Sequence, residues 1–152
     1  MPNFGMFPQT QTLIASTAYT ASTTSAALTL PSASSYRIVI ALNTVSGTSP
    51  TMVVALATSF DGGTTYVEVC STSTMSTSGN GQQLLIRPYL GIGDAATNAA
   101  CSLLGTADLA AAVVNNGPIN PQYVKLRFIL GGTSPSFTAT VAVFAVPQDM
   151  AD

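Results

Sequence analysis

The side chains that could carry acid–base or metal chemistry are few in this 152-residue chain. Histidine is absent, which removes the commonest general base and a common metal ligand. Six residues are acidic, but no two of them stand out as a catalytic carboxylate pair. The motifs of phosphate-binding loops, zinc proteases and EF-hands do not occur. The sequence therefore predicts a protein that is not an enzyme and that holds no metal and no cofactor.

The acidic residues have simpler interpretations. Asp94 and Asp108 flank an alanine-rich segment, where a calcium site is a weak alternative because only two carboxylates are present. Asp61 begins an Asp-Gly-Gly turn signal and is interpreted as a turn residue. Glu68 lies within a predicted strand, where we expect a solvated outer-face side chain; the alternative is a cross-strand salt bridge to an arginine. The arginines that could supply it are Arg37, Arg87 and Arg127.

The two cysteines, Cys70 and Cys101, lie 31 positions apart and have no histidine partner. Two cysteines make a poor metal site. We expect two buried thiols that pack as small apolar side chains, with a disulfide as the alternative.

Composition narrows the function further. Charged residues make up 7% of the chain, against about 25% in an ordinary soluble domain. In their place the chain has 21 Thr and 16 Ser. Four cationic residues are too few for a nucleic-acid-binding stripe, and no apolar run approaches the ~18 residues of a membrane span. A weakly charged, hydroxyl-rich surface favours a protein of an assembly; the alternative is a soluble domain with a polar coat.

Short alternating segments from residue 12 onwards predict strands, separated by turn signals. Residues 124–130 and 137–145 alternate most clearly. The tetrapeptide Gly-Thr-Ser-Pro occurs twice, at 47–50 and at 132–135, each time between two apolar segments. We interpret both copies as the turns of two similar hairpins. About eight short strands and little helix predict an all-β fold, an antiparallel β-sandwich of jelly-roll type.

The chain is interpreted as a single jelly-roll domain, 1–152. Residues 1–11 form an extended N-terminal arm, 12–147 the sandwich and 148–152 a tail. A long Ala/Gly-rich excursion near 91–118 interrupts the strand pattern, with a short helix expected near 107–113. The arm carries Phe4, Met6 and Phe7, which are unusual in a solvated terminus and are predicted to form an interface with another protein surface.

Two stretches carry a family resemblance. Residues 36–40 through 55–63 combine a strand, a small-residue turn and a strand that ends in Thr-Ser-Phe-Asp-Gly-Gly. Residues 122–128, Gly-Gly-Thr at 131–133 and 137–141 form a closing Tyr-Val-Lys-Leu-Arg segment with its return strand. Together these stretches resemble the jelly-roll capsid cement, or decoration, proteins of tailed bacteriophages. They cover about half of the chain.

The resemblance implies a structural virion protein that is made in the host cytoplasm and binds the outer surface of the capsid. Its partners would be the major capsid protein and other copies of itself, as a homodimer or homotrimer, with no role for nucleic acid or membrane. Many weak contacts repeated across a lattice would supply the avidity. The alternatives are a tail- or connector-associated virion β-sandwich and a carbohydrate-binding or adhesion module.

Overall fold

The computed structural model describes residues 9–33, 35–79, 81–86, 101–104 and 119–146. These residues form seven strands and contain no helix, which confirms the all-β prediction. All strand pairs are antiparallel and belong to one hydrogen-bonded sheet. The strands are β1 (Gln9–Tyr19), β2 (Thr23–Thr24), β3 (Ser35–Thr58), β4 (Val67–Ser71), β5 (Gly81–Ile86), β6 (Cys101–Leu104) and β7 (Val124–Val146).

Two long strands, β3 and β7, form the centre of the sheet. They pair along almost their whole length, from Ser35 opposite Val146 to Thr58 opposite Val124. On β7 and on the first part of β3 alternate side chains are buried, whereas Ala55, Leu56, Ala57 and Thr58 at the end of β3 are all buried. The period-2 pattern therefore places one face of each strand against the core, as the sequence predicted.

The middle of the β3–β7 pair is irregular where the two Gly-Thr-Ser-Pro copies meet. Thr48 lies opposite Thr133, and the register shifts on both sides of this pair. The backbone has positive φ at the equivalent positions of both copies, +117° at Gly47 and +98° at Gly132. A methyl group at Gly47 would lie 2.7 Å from the carbonyl oxygen of Ser134, and one at Gly132 would collide with the carbonyl of Ser49. The two copies thus make the same close approach to each other, related by a local two-fold axis.

The prediction of hairpin turns at 47–50 and 131–135 is therefore wrong. Residues 137–146 pair with β1 and β3 and do not return along 124–130. Glycine followed by Ser-Pro permits a turn, but it also permits an irregular pair inside a continuing ladder. Here the two Gly-Thr-Ser-Pro segments lie beside each other, and β3 and β7 pair again after them.

The irregular middle divides the sheet into two halves. The first half has the strand order β1-β7-β3-β5-β6, and the second half adds β2 to β7 and β4 to β3. Buried side chains of both halves form one hydrophobic core. Tyr19 on β1 stacks on Phe128 in the second half, with ring centroids 4.2 Å apart. The jelly-roll connectivity stays a prediction.

Hydroxyl side chains complete the backbone hydrogen bonding where a flanking strand is short. The Ser25 hydroxyl accepts a hydrogen bond from the amide of Leu126 at 3.0 Å. The Thr72 hydroxyl accepts one from the amide of Val54 at 2.9 Å. The Ser22 hydroxyl accepts one from the amide of Leu130 at 2.9 Å. These bonds give many of the Ser and Thr residues a structural role, because they replace main-chain partners.

A buried polar link joins the two halves between β4 and β5. The Gln82 amide group donates to the Ser73 hydroxyl at 2.6 Å, and its oxygen accepts from the Ser73 backbone N–H at 2.9 Å. Among the described residues, no buried side-chain polar atom lacks a hydrogen-bond partner. The connection between β4 and β5 is thus held to β5 by the Ser73–Gln82 hydrogen bonds.

Cys70 is disulfide-bonded, so the expectation of two buried free thiols is wrong and the alternative holds. The only other cysteine in the sequence is Cys101, the first residue of β6. A disulfide limits the freedom of the unfolded chain, and its formation depends on the three-dimensional approach of two strands rather than on sequence spacing.

The predicted arm and excursion differ in extent from the structure. β1 begins at Gln9, so residues 9–11 of the predicted arm belong to a strand that pairs with β7. β6 lies within the excursion and pairs with β5. The remainder of the excursion, with the helix expected near 107–113, lies outside the described residues, as does the tail at 148–152.

We predict that Gly132→Ala destabilises the fold by about 2–4 kcal/mol, because it adds backbone strain at positive φ to a steric clash with the Ser49 carbonyl. The matched control is Gly79→Ala, which also has positive φ but no atom within 4 Å of the new methyl group. Urea unfolding of both variants measures the difference. Equal losses of unfolding free energy would contradict the close approach.

Candidate interaction surface

The loop between β3 and β4 is organised by Asp61. Its carboxylate accepts hydrogen bonds from the Ser59 hydroxyl at 2.6 Å and from the backbone amides of Thr64 and Thr65 at 3.0 and 2.8 Å. The Ser59 hydroxyl in turn accepts the amide of Gly63 at 2.9 Å. The Asp-Gly-Gly signal thus gives a hydrogen-bonded turn that returns the chain from Thr58 to Val67, as predicted for Asp61.

These hydrogen bonds favour the charged form of Asp61. They lower the pKa of its carboxyl group from 3.8 to about 2, with the Ser59 hydroxyl the largest cause and the Thr65 amide next. The turn therefore keeps its negative charge and its hydrogen bonds across the pH range in which proteins usually work.

The loop is also fixed to β7. The Ser59 amide donates to the carbonyl of Tyr123 at 3.0 Å. The Thr58 hydroxyl accepts the amide of Asn120 at 2.8 Å and donates to the Tyr123 carbonyl at 3.2 Å. Both Thr58 and Ser59 are fully buried. The base of the loop is thus held by the sheet on one side and by the Asp61 network on the other.

This fixed loop presents apolar side chains to solvent. Phe60 is 61% exposed and Val67 is 57% exposed, the highest values among the large hydrophobic residues described. Tyr66 and Tyr123 are partly buried, and the Tyr66 hydroxyl and the Tyr123 ring both lie close to Gly63 of the same loop. Lys125 places its ammonium group 4.3 Å from the centre of the Tyr66 ring. We call these five residues, Phe60, Tyr66, Val67, Tyr123 and Lys125, the loop surface.

Phe60 and Val67 lie at a hydrogen-bonded loop and leave much of their apolar surface exposed to solvent. Phe60 and Val67 contribute little to the core, yet the Asp61 network holds the loop that carries them in one conformation. A preorganised loop loses less conformational entropy when a partner covers it. The loop surface is thus exposed and held by hydrogen bonds at its base.

The charged side chains of the second half of the sheet pair with neighbours. Arg127 donates to the Glu68 carboxylate at 2.8 Å across the central strand, above the small side chains of Ala55 and Ala57. Both partners are about half exposed, so the bridge contributes little to stability. Glu68 therefore has both predicted features, an outer-face position and an arginine partner.

Most of the other residues selected from sequence fall outside the described ranges. Phe4, Met6 and Phe7, the predicted interface residues, are outside the described residues, and so are Asp94 and Asp108. Within the described ranges there is no group of three or more His, Cys, Asp or Glu side chains that could hold a metal ion. Sequence reasoning missed Phe60; the available signal was a large apolar residue inside a turn otherwise made of Ser, Asp, Gly and Thr.

We predict that the loop loses its order as the pH falls from about 4 to 2. The folded pKa of Asp61 lies below the unfolded value, so its hydrogen bonds stabilise the loop above pH 3.8 and are lost as protonation proceeds towards pH 2. An NMR titration of the Thr64 and Thr65 amides measures this, with a midpoint near 2. In Asp61→Ala both amides should exchange rapidly with solvent at neutral pH. Amides that stay protected in that variant would refute the role given to Asp61.

Comparison with protein-family models, with curated proteins and with solved structures finds no match for this chain. Over the part of the chain that the structure describes, no helix is long and apolar enough to cross a membrane. The loop surface and the fold are therefore the observations from which a function must be argued.

Proposed function

We propose that the chain is a structural virion protein, a cement or decoration protein that binds the outer surface of a tailed-phage capsid and bridges major capsid subunits. It acts as a homo-oligomer, without enzymatic activity, cofactor, nucleic acid or membrane. A β-sandwich of jelly-roll type belongs to this proposal. So does synthesis in the host cytoplasm followed by assembly onto the virion.

The observation that carries the proposal is the loop surface. The other solvent-exposed residues of the sheet are mostly polar, and few are charged. Hydroxyl and alanine side chains cost little to desolvate, so a broad contact can form without burying unpaired charges. Phe60 and Val67 supply the apolar centre that such a contact needs.

The central strand pair supports a mechanical role. β3 and β7 are 24 and 23 residues long and pair with each other on both sides of their irregular middle. A pull along these strands must break many ladder bonds together. A protein that spans two capsid subunits benefits from such a scaffold, because the attachment is only as strong as the fold that connects its two ends.

The predicted arm is a second contact in this proposal. Phe4, Met6 and Phe7 precede β1, which begins at the edge of the sheet. An apolar arm that leaves from an edge can reach a neighbouring subunit while the domain stays bound to the first. Two linked contacts bind more tightly than either alone.

The proposal predicts the copy number of this chain in phage particles. Quantitative mass spectrometry of purified particles should find this chain at between about a third of and equal to the copy number of the major capsid protein, because a cement repeats with the symmetry of the lattice. A ratio below about one to thirty would identify the tail or connector alternative, since those structures occur once per particle. Absence from particles would contradict a virion role and favour the carbohydrate-binding alternative.

The proposal also predicts which residues attach the protein to the capsid. Phe60→Ser should weaken binding to capsids that lack the protein by about tenfold or more, since it removes an apolar anchor from the contact. Phe144→Ser is the matched control, because Phe144 is also exposed but lies on the first half of the sheet. Deletion of residues 1–8 should weaken binding too while leaving β1 and the unfolding midpoint unchanged. Equal binding of Phe60→Ser and the wild type in a capsid co-sedimentation assay would exclude the loop surface as the contact.

A further inference from the structure

β1 forms an edge of the sheet with an unpaired side. It is the last strand in the order β1-β7-β3-β5-β6, and its 11 residues bond to β7 along one side only, within the residues that the structure describes. An unpaired strand edge presents a row of backbone N–H and C=O groups about 36 Å long for a strand of this length. The chemistry that recognises such a row is another extended backbone.

The sequence of β1 lacks the side chains that usually protect an edge. It reads Gln-Thr-Gln-Thr-Leu-Ile-Ala-Ser-Thr-Ala-Tyr, with no charged residue and no proline. Its irregularities lie in the middle, on both sides of Ile14, and leave regular pairing with β7 at the two ends. β4, an edge strand of the second half, differs because it carries Glu68.

β1 is compatible with a second copy of itself. An antiparallel pairing centred on Ile14 places Thr10 opposite Ala18 and Gln11 opposite Thr17. All four side chains are exposed and uncharged, so a two-fold contact brings no like charges together. Thr10 and Ala18 also lie opposite outward-facing residues of β7, so they share the outer face of the sheet.

We propose that two copies of this chain pair through β1, in antiparallel orientation about a two-fold axis. The pairing joins five strands from each copy into one continuous sheet. The contact is isologous, so each copy's edge is used once and the assembly closes as a dimer. A dimer also doubles the number of loop surfaces. The inference rests on the hydrogen-bonding edge of β1 and does not depend on capsid binding.

The test is the association state of the full chain in solution. Sedimentation equilibrium across a range of concentrations should show a dimer of the 15.5 kDa chain. The double variant Thr10→Lys, Ala18→Lys places positive charges opposite one another at both ends of the pairing. It should raise the dimer Kd by about tenfold or more. The control, Thr74→Lys with Thr77→Lys, adds the same charge at exposed positions of the β4–β5 connection and should leave the Kd unchanged.

Hydrogen exchange of the wild type gives a readout that no variant can disturb. The β1 amides that do not bond to β7 should become protected as the concentration rises through the Kd, while those of β4 should not change. A monomer at every concentration, or a dimer that is as stable in the β1 double variant as in the wild type, would overturn the proposal. Protection of β1 that appears only when capsids are added would identify a capsid segment as the occupant and would also overturn it.

Discussion

The approach of two backbones at the middle of β3 and β7 determines the arrangement of the whole sheet. Gly47 and Gly132 each lie against the serine carbonyl of the opposite strand, where no side chain fits. Both strands are irregular at the same point along their length. The strands pair regularly on either side of this point, so the sheet has two halves. Each half then gains its own flanking strands, and both contribute to one core. The flanking strands depend on this centre.

The alternation of residues was sufficient to predict the all-β class and the buried face of the strand that begins at Val124. Val124, Leu126 and Phe128 are buried as expected, and Arg127 is exposed. The same pattern could not show that two predicted hairpins were one long pair. Gly-Thr-Ser-Pro has the local chemistry of a turn, and whether it turns or bulges depends on the strand beside it. The neighbouring strand is distant in sequence, so the tetrapeptide alone predicts a turn, which is the commoner structure for these residues.

The candidate site was harder to predict for a related reason. The turn chemistry of Asp61 was evident, but the exposure of Phe60 depends on the Ser59 and Thr58 bonds that hold the loop against β7. A large apolar residue in a turn can fold inward or point to solvent, and only the anchoring residues decide which. The disulfide of Cys70 is a similar case, because a sequence separation does not indicate a distance. For the loop and for the disulfide alike, the residue that fixes the structure is distant in sequence.

The reciprocal contact of the two glycines also constrains how the sequence can change over time. Each repeat supplies the glycine for one approach and the serine carbonyl for the other, so a change in one tetrapeptide immediately affects its counterpart. The strands around them contact different neighbours and can diverge independently. The contact requires glycine at 47 and at 132, 85 positions apart, whereas the carbonyls that the glycines meet are main-chain groups that any residue supplies. A side chain at either glycine would therefore disturb both strands at once.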